Sequence, residues 1–347
     1  MTEKYYSSCA QCPRKCGVNR TEKNRGFCGE TDEVRIASAC LHFGEEPLIT
    51  VHGGSGTIFF TGCTLRCAFC QNYQISQDGT GKSVSMEEFC KICLRLQDAG
   101  AENINLVTGS HSIPKLAEYI SAAQDAGCGI PFCWNSSAFE NVEMLELLKP
   151  FVKVWLPDFK TLDRELSAKL FGAAEYPETA EKAVLWMLEN FPLKTTESRA
   201  KNDYTDANGE KIRKGKAKEK IVQGVIIRHL FMPGKFQETA DVLEWLKNHA
   251  DGKAIISLMN QYTPVPFAED ENKLKKRKNA LGAIENRLVN SQEDKDLQDL
   301  IEAFGFETLF YQELTDDTSW LPDFYRIQPF SSKLAKPLWH WTCGFIE

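Results

Sequence analysis

Six strand-like runs separated by amphipathic helical patterns constrain this 347-residue chain more than any other feature. The runs fall at 57–61, 104–108, 132–135, 152–156, 221–230 and 254–259 and are rich in β-branched and aromatic residues. Between the early runs, 86–99 and 113–126 place apolar residues three and four apart and meet stops at Gly100 and Gly127. Strands separated by helices pair in parallel through right-handed crossovers, so the expected fold class is α/β, a partial TIM-like (β/α)6 barrel. Barrels of this kind carry their chemistry on the loops after the carboxyl ends of the strands.

The loop after the first run reads Gly62-Cys63-Thr64-Leu65-Arg66-Cys67-Ala68-Phe69-Cys70. Thiolates are soft ligands suited to iron, and these three can hold three corners of a four-iron cluster. Electron-transfer clusters normally fill all four positions with cysteine. The missing fourth cysteine therefore points to a substrate or cofactor on the spare iron. Three buried cysteines or a zinc knuckle are the plainer readings, and a polar loop following a strand suits neither.

A second cysteine set precedes the barrel. Cys9, Cys12, Cys16 and Cys28 are spaced closely, with Pro13, Gly17, Gly26 and Gly29 supplying turns. Four thiolates can close a metal site that folds a segment too poor in apolar residues for a core of its own. Zinc is the favoured metal, a second iron–sulfur cluster is the sharper alternative, and free thiols or a redox pair stay open. Arg14, Lys15, Arg20, Lys23 and Arg25 make the segment basic, which suits an acidic partner or a solvated surface. Cys40 belongs to an apolar run expected to be a strand packing this segment onto the barrel. Cys90 and Cys93 belong to the apolar face of a helix.

The formal net charge of -7 argues against a general nucleic-acid binder. No apolar run is long enough to span a bilayer, and the first eight residues lack the apolar centre of a signal peptide, so a cytoplasmic protein is expected. In a reducing compartment, 13 cysteines read as metal ligands and buried thiols rather than disulfides. A low-potential cluster further implies an anaerobic setting.

The motifs after the later strands narrow the reading. Cys-Ala-Phe-Cys-Gln-Asn-Tyr-Gln-Ile-Ser (67–76), Asn-Leu-Val-Thr-Gly-Ser-His (105–111), Cys-Trp-Asn-Ser-Ser (133–137), Leu-Pro-Asp-Phe-Lys (156–160), Ile-Arg-His-Leu (227–230) and Met-Asn-Gln-Tyr (259–262) together resemble the PflX family. That family is a branch of the radical S-adenosylmethionine (SAM) proteins similar to the activating enzymes of pyruvate formate-lyase. The resemblance runs from residue 9 to about residue 305.

It implies a [4Fe-4S] cluster on Cys63, Cys67 and Cys70, SAM on the open iron, and a 5'-deoxyadenosyl radical that abstracts hydrogen. A glycyl radical enzyme is the leading substrate. A small molecule or peptide is the alternative substrate, and a non-catalytic iron–sulfur redox sensor the alternative from another class. A flavodoxin-like or ferredoxin-like protein is the implied electron donor, with neither nucleic acid nor membrane as partner.

Carried over by the same resemblance, Phe69 joins the cofactor contacts, and Thr108, Gly109 and Ser110 occupy the place of a Gly-Gly-Glu segment that contacts the SAM amino group. This sequence lacks that segment's carboxylate. His111 is placed either to touch ligand or to cap the helix that follows. Asn135 and Ser136 match residues near the ribose. Asp158 and Lys160 alternate across a strand end, with Lys160 offered to the SAM carboxylate. Of the neighbours Arg228 and His229 only one can face the site, and the resemblance favours His229. Gln261 and Tyr262 fall where adenine or substrate would be met, although Tyr262 suits loop packing equally.

Three segments result: a Cys-rich 1–50, a core at 51–305 and an aromatic extension at 306–347. Within the core, 194–220 is expected to be an exposed, charged insert turning at Asn208-Gly209. The extension carries too much aromatic surface to trail in solvent and should pack back on the barrel.

Overall fold

The computed structural model describes residues 2–206 and 209–347. Strand β1 (Arg35–His42) precedes β2 (Ser55–Phe60), and α1 (Tyr73–Ser76), β3 (Lys82–Ser83) and α2 (Met86–Asp98) lead to β4 (Ile104–Val107). Then come α3 (Ile113–Asp125), β5 (Phe132–Ser136), α4 (Val142–Leu148), β6 (Val152–Pro157), α5 (Arg164–Phe171) and α6 (Tyr176–Asn190). The short strands β7 (Lys194–Arg199), β8 (Tyr204–Thr205) and β9 (Lys211–Ile212) run into the long β10 (Ala217–Leu230). Helix α7 (Phe236–His249), β11 (Ile255–Met259), α8 (Glu271–Leu281), α9 (Ser291–Phe304) and β12 (Leu309–Tyr311) follow, with β13 (Ala335–His340) and β14 (Gly344–Phe345) last.

The six predicted runs are β2, β4, β5, β6, β10 and β11, and each pairs in parallel with the next. Strand β12 adds a further parallel member. Alternation along these strands divides the apolar residues between two clusters. Ile104, Leu106, Trp134, Trp155, Ile227 and Ile256 join the large cluster shared with the helices. Cys133, Val154, Leu156, Ile226 and Ile255 face the other way and close a separate interior cluster around Ile49.

Four strands separate β2 from β11 in the sheet, which at ~4.8 Å per strand would put them about 24 Å apart if the sheet were flat. Yet Phe69, on the loop after β2, meets Tyr262, just after β11, with ring centroids 5.8 Å apart. The parallel strands therefore curl around the interior cluster. No pairing joins β12 back to β2 among the described residues, so the fold is a partial barrel within a mixed α/β sheet.

The helices form where the pattern places them. Ser85 caps α2 by accepting from the Glu88 N–H, and Phe89, Ile92, Cys93 and Leu96 are its buried stripe. After α2 and α3 the chain turns at Gly100 and Gly127, whose φ values of 97° and 104° favour glycine.

Two regions differ from expectation in form. Residues 194–220 are exposed but not irregular: β7 pairs antiparallel with the first half of β10 as a ribbon, and β8 pairs with β9 beyond it. Asn208 of the predicted turn lies outside the described residues. The C-terminal extension does pack back, but at the amino-terminal edge of the sheet. Strand β13 pairs antiparallel with β1, which itself pairs antiparallel with β2, and Phe324 and Trp339 are fully buried there. Cys40 sits on β1, as the apolar run implied.

Candidate radical-chemistry site at the strand ends

The cysteine loop leaves β2 at the carboxyl edge of the parallel strands and is gripped from several sides. Gly62 has φ 76°, and a Cβ there would strike Glu30 Cγ at 2.4 Å. The Cys63 N–H donates to the Cys28 carbonyl at 3.3 Å, and the Ala68 N–H to the Leu170 carbonyl at 2.8 Å. Phe69 lies with its ring 6.0 Å from Phe171 and 5.8 Å from Tyr262, wedged between the end of α5 and the segment after β11.

Two arginines distant in sequence hold the loop's carbonyls. Arg14 donates through Nε to Thr64 O at 2.9 Å and through Nη2 to Leu65 O and Phe171 O. Arg277, on α8, donates to Ala68 O at 2.8 Å and is paired with Glu269. Arg277 thus leaves the otherwise charged run at 273–278 to hold the cysteine loop.

Four other strand ends converge beside this loop. Thr108 Oγ1 donates to the Asn135 carbonyl at 3.0 Å. Arg228 donates through Nη2 to Asn135 Oδ1 at 2.5 Å and through Nε to Asp158 Oδ1 at 2.8 Å. Lys160 Nζ donates to Asp158 Oδ2 at 2.8 Å. Burial alone would raise the Asp158 carboxyl, but Arg228 and Lys160 outweigh it and hold it below the usual range. Burial works against the Lys160 ammonium, and Asp158 and Cys67 restore it and raise it above the ordinary value. Burial pushes the Cys67 and Cys70 thiols up while Lys160 draws both down, so lysine and thiols share one electrostatic site.

Below this level the interior is charged. Glu45 and Glu46 approach Arg228 at 3.8 and 3.9 Å. Burial raises both carboxyls against the pull of Arg228.

Several expected contacts take other positions. His229 gives way to Arg228: its ring is 1% exposed and turned toward α7, with Nδ1 at 2.7 Å from Phe159 O and Nε2 at 2.9 Å from Thr239 Oγ1. Strand alternation is the reason, since neighbours on β10 face opposite sides. Ser110 and Ser136 are likewise turned away from the interior. Ser110 Oγ donates to Glu140, and Ser136 Oγ accepts from the Ala138 N–H. Glu140 is 2% exposed, and burial keeps its carboxyl above the ordinary range. A carboxylate therefore does stand behind the 108–110 turn, supplied from the loop after β5.

Gly109 is packed so closely that a Cβ would meet Leu116 at 2.3 Å. His111 is buried with its Nδ1 unpartnered, so that atom does not cap α3, and its carbonyl accepts from Gln11 and Arg20. Gln261 donates to the Glu313 carbonyl at 3.2 Å, and Tyr262 donates to Asn286 at 2.6 Å as loop packing. Arg14, Arg277 and Glu140 were invisible to sequence reasoning because each acts over 50 or more residues or from an unremarkable loop.

The amino-terminal cysteines gather as well. Cys16 Sγ and Cys28 Sγ lie 3.4 and 3.5 Å from where a Gly26 Cβ would sit. Cys9 Sγ accepts from Arg20 Nη1 at 3.7 Å and Gln11 Nε2 at 3.8 Å. Among the described residues, no three His, Cys, Asp or Glu side chains close on a single ion, and no helix is long and apolar enough to cross a membrane.

The chain is similar to several known proteins. Uncharacterized protein MJ0674 of Methanocaldococcus jannaschii is 29% identical over 280 residues, covering 78% of this chain and 71% of its own. Streptococcus suis SuiB bound to S-adenosylmethionine superposes with a TM-score of 0.45 and 12% identity over 72% of this chain, which spans 47% of SuiB. A domain of a pyruvate-formate lyase-activating enzyme from Bacteroides vulgatus gives a TM-score of 0.34 with 11% identity, covering 58% of this chain and 91% of that domain. The family model for the radical SAM superfamily matches residues 57–197, which span β2 with its cysteine loop through the start of β7. Residues 57–197 are thus similar to the radical SAM superfamily domain.

Proposed function

We propose that the chain is a radical SAM enzyme that cleaves SAM at a [4Fe-4S] cluster and abstracts hydrogen from a substrate at the barrel mouth. One observation carries this: Cys63, Cys67 and Cys70 stand at the carboxyl edge of the parallel strands, and Lys160 shares their electrostatic site.

The residues fit both groups. Three soft donors with no fourth cysteine in their loop suit a cluster with an open iron. The Leu65 N–H points to Cys63 Sγ at 3.4 Å, and Ser76 Oγ lies 3.4 Å from Cys70 Sγ. Hydrogen bonds to cluster sulfurs tune such centres. A cluster held there would supply the one electron for reductive cleavage of a SAM carbon–sulfur bond, which would release methionine and leave a 5'-deoxyadenosyl radical.

This chain's own residues then do three things. Lys160, held charged by Asp158, offers a cation to the SAM carboxylate. Arg228 fixes Asp158 and Asn135 in one layer, so the strand ends present a preorganised polar surface. Phe69, clamped between Phe171 and Tyr262, shields the loop from water.

The leading substrate is a glycyl radical enzyme, by similarity to activating enzymes. The charged interior of Arg228, Glu45 and Glu46 favours a second reading, a small polar molecule entering the barrel. Reduced, reconstituted protein should make 5'-deoxyadenosine from SAM only while all three loop cysteines are present. A cluster-loaded protein that never cleaves SAM sinks the enzyme reading and leaves a redox sensor. Deoxyadenosine without a glycyl radical signal in paramagnetic resonance, across candidate partner enzymes, sinks the protein substrate alone.

A further inference from the structure

Arg20 poses a problem that the mouth of the barrel does not explain. Its side chain is 1% exposed, and its guanidinium donates to the carbonyls of Thr31 and His111 and to Cys9 Sγ. Among the described residues no carboxylate lies within ion-pair distance of it. A buried cation left without counter-charge is costly. The face of the Tyr6 ring lies 4.8 Å from it, and the groups near it that can carry negative charge are the sulfurs of Cys9, Cys16 and Cys28, which do so when they are thiolates on a metal centre.

The neighbourhood bears on which centre it is. Cys16 and Cys28 flank Gly26, and Cys9 accepts from Arg20, one hydrogen bond away from the loop of Cys63. Zinc has no redox chemistry to offer such a neighbour, whereas an iron–sulfur cluster does. We propose that Cys9, Cys12, Cys16 and Cys28 hold a second iron–sulfur cluster, of the [4Fe-4S] type, which relays electrons to the group at Cys63, Cys67 and Cys70.

The route between the two is short. The Cys63 N–H donates directly to the Cys28 carbonyl at 3.3 Å. Arg14, two residues after Cys12, holds the carbonyls of Thr64 and Leu65. On the outer side Cys16 is half-buried beside exposed Lys15, with exposed Arg25 nearby in the chain, while Lys23 is paired with Glu33 at 2.8 Å. That basic surface fits an acidic one-electron carrier of the flavodoxin or ferredoxin class.

One electron leaves the reduced carrier, which is oxidised by one, and reduces the amino-terminal cluster. The cluster returns to its oxidised state when the electron passes to the group at Cys63. No bond or proton is exchanged. The relay rests on the reading of Cys63, Cys67 and Cys70 as a cluster site, whereas the metal content of the amino-terminal set is independent of it.

The test uses the full chain carrying Cys63→Ala, Cys67→Ala and Cys70→Ala together, reconstituted without oxygen. The expected result is about four irons and four sulfides per chain, with a reduced-cluster resonance that SAM does not alter. Zinc in place of iron, or no metal, overturns the proposal. The converse variant, Cys12→Ser with Cys28→Ser, should drop the wild-type content from about eight irons to about four and keep a resonance that SAM perturbs. Unchanged iron in it overturns the proposal equally. For the relay, Lys15→Glu with Arg25→Glu should slow reduction by a reduced flavodoxin about tenfold at low salt and leave dithionite-driven deoxyadenosine formation unchanged. Equal rates with the carrier overturn that part.

Discussion

Two cysteine-bearing segments meet in this molecule, and they are positioned by different means. The loop at 62–70 hangs from β2, and its backbone is packed by the ends of the barrel. The segment at 9–28 contains no regular element longer than the three-residue turn Arg20–Glu22. It is shaped by side chains donating to carbonyls: Arg20 to Thr31 and His111, Gln11 to His111 and Asn141 to Ala10. A loop that inherits its shape from a barrel should keep it when its ligand is lost. A segment held by a few buried hydrogen bonds should not.

That contrast can be tested by steps of decreasing size. Cys67→Ala should abolish cluster iron at 63–70 and deoxyadenosine formation while barely moving the thermal midpoint; a large loss of folding cooperativity would show that the loop depends on its ligand after all. Next comes Arg20→Met, which leaves two buried carbonyls and Cys9 without their donor. It should cost about 3 kcal/mol, read from denaturant midpoints, and a change below about 1 kcal/mol would mean that the segment needs no such anchor.

The third step concerns His229, which burial lowers from 6.5 to about 4. The unfolded chain takes up the proton first, so this group costs stability as pH falls from 6.5 to 4 and adds no further loss below that. His229→Gln should remove on the order of 2–3 kcal/mol of that pH dependence, seen as wild-type and variant midpoints converging or crossing between pH 7 and pH 4.5. Parallel curves would place the imidazole in water and reopen its role at the mouth. The smallest effect belongs to the exposed ribbon. Arg213→Ser breaks the ion pair with Asp203 and should change neither the thermal midpoint nor deoxyadenosine formation.

The parallel core was legible because its signal is local. Each of β2, β4, β5, β6, β10 and β11 is a short apolar run, and a helix pattern between runs fixes the direction of pairing. The cysteine loop was legible for the same reason, since spacing and strand end are both read from neighbours in sequence. What stayed hidden depends on distance along the chain. Nothing in residues 273–278 says that Arg277 leaves the polar face to hold Ala68, and nothing near Ser110 says that Glu140 will arrive behind it. The choice between Arg228 and His229 failed differently: alternation says that one faces in, but the phase of β10 is set by its packing on α7, which the run itself does not encode.

The pairing of β13 with β1 has a consequence for biogenesis. Strand β1 needs β2 on one side and β13 on the other, and the latter lies far along the chain, at 335–340. Phe324, whose N–H donates to Gln74 just past Cys70, is made almost as late. Until Phe324 and β13 have been made, a nascent chain exposes one edge of β1 and an unlatched α1, so the region around the cysteine loop gains its final rigidity only once those residues have docked.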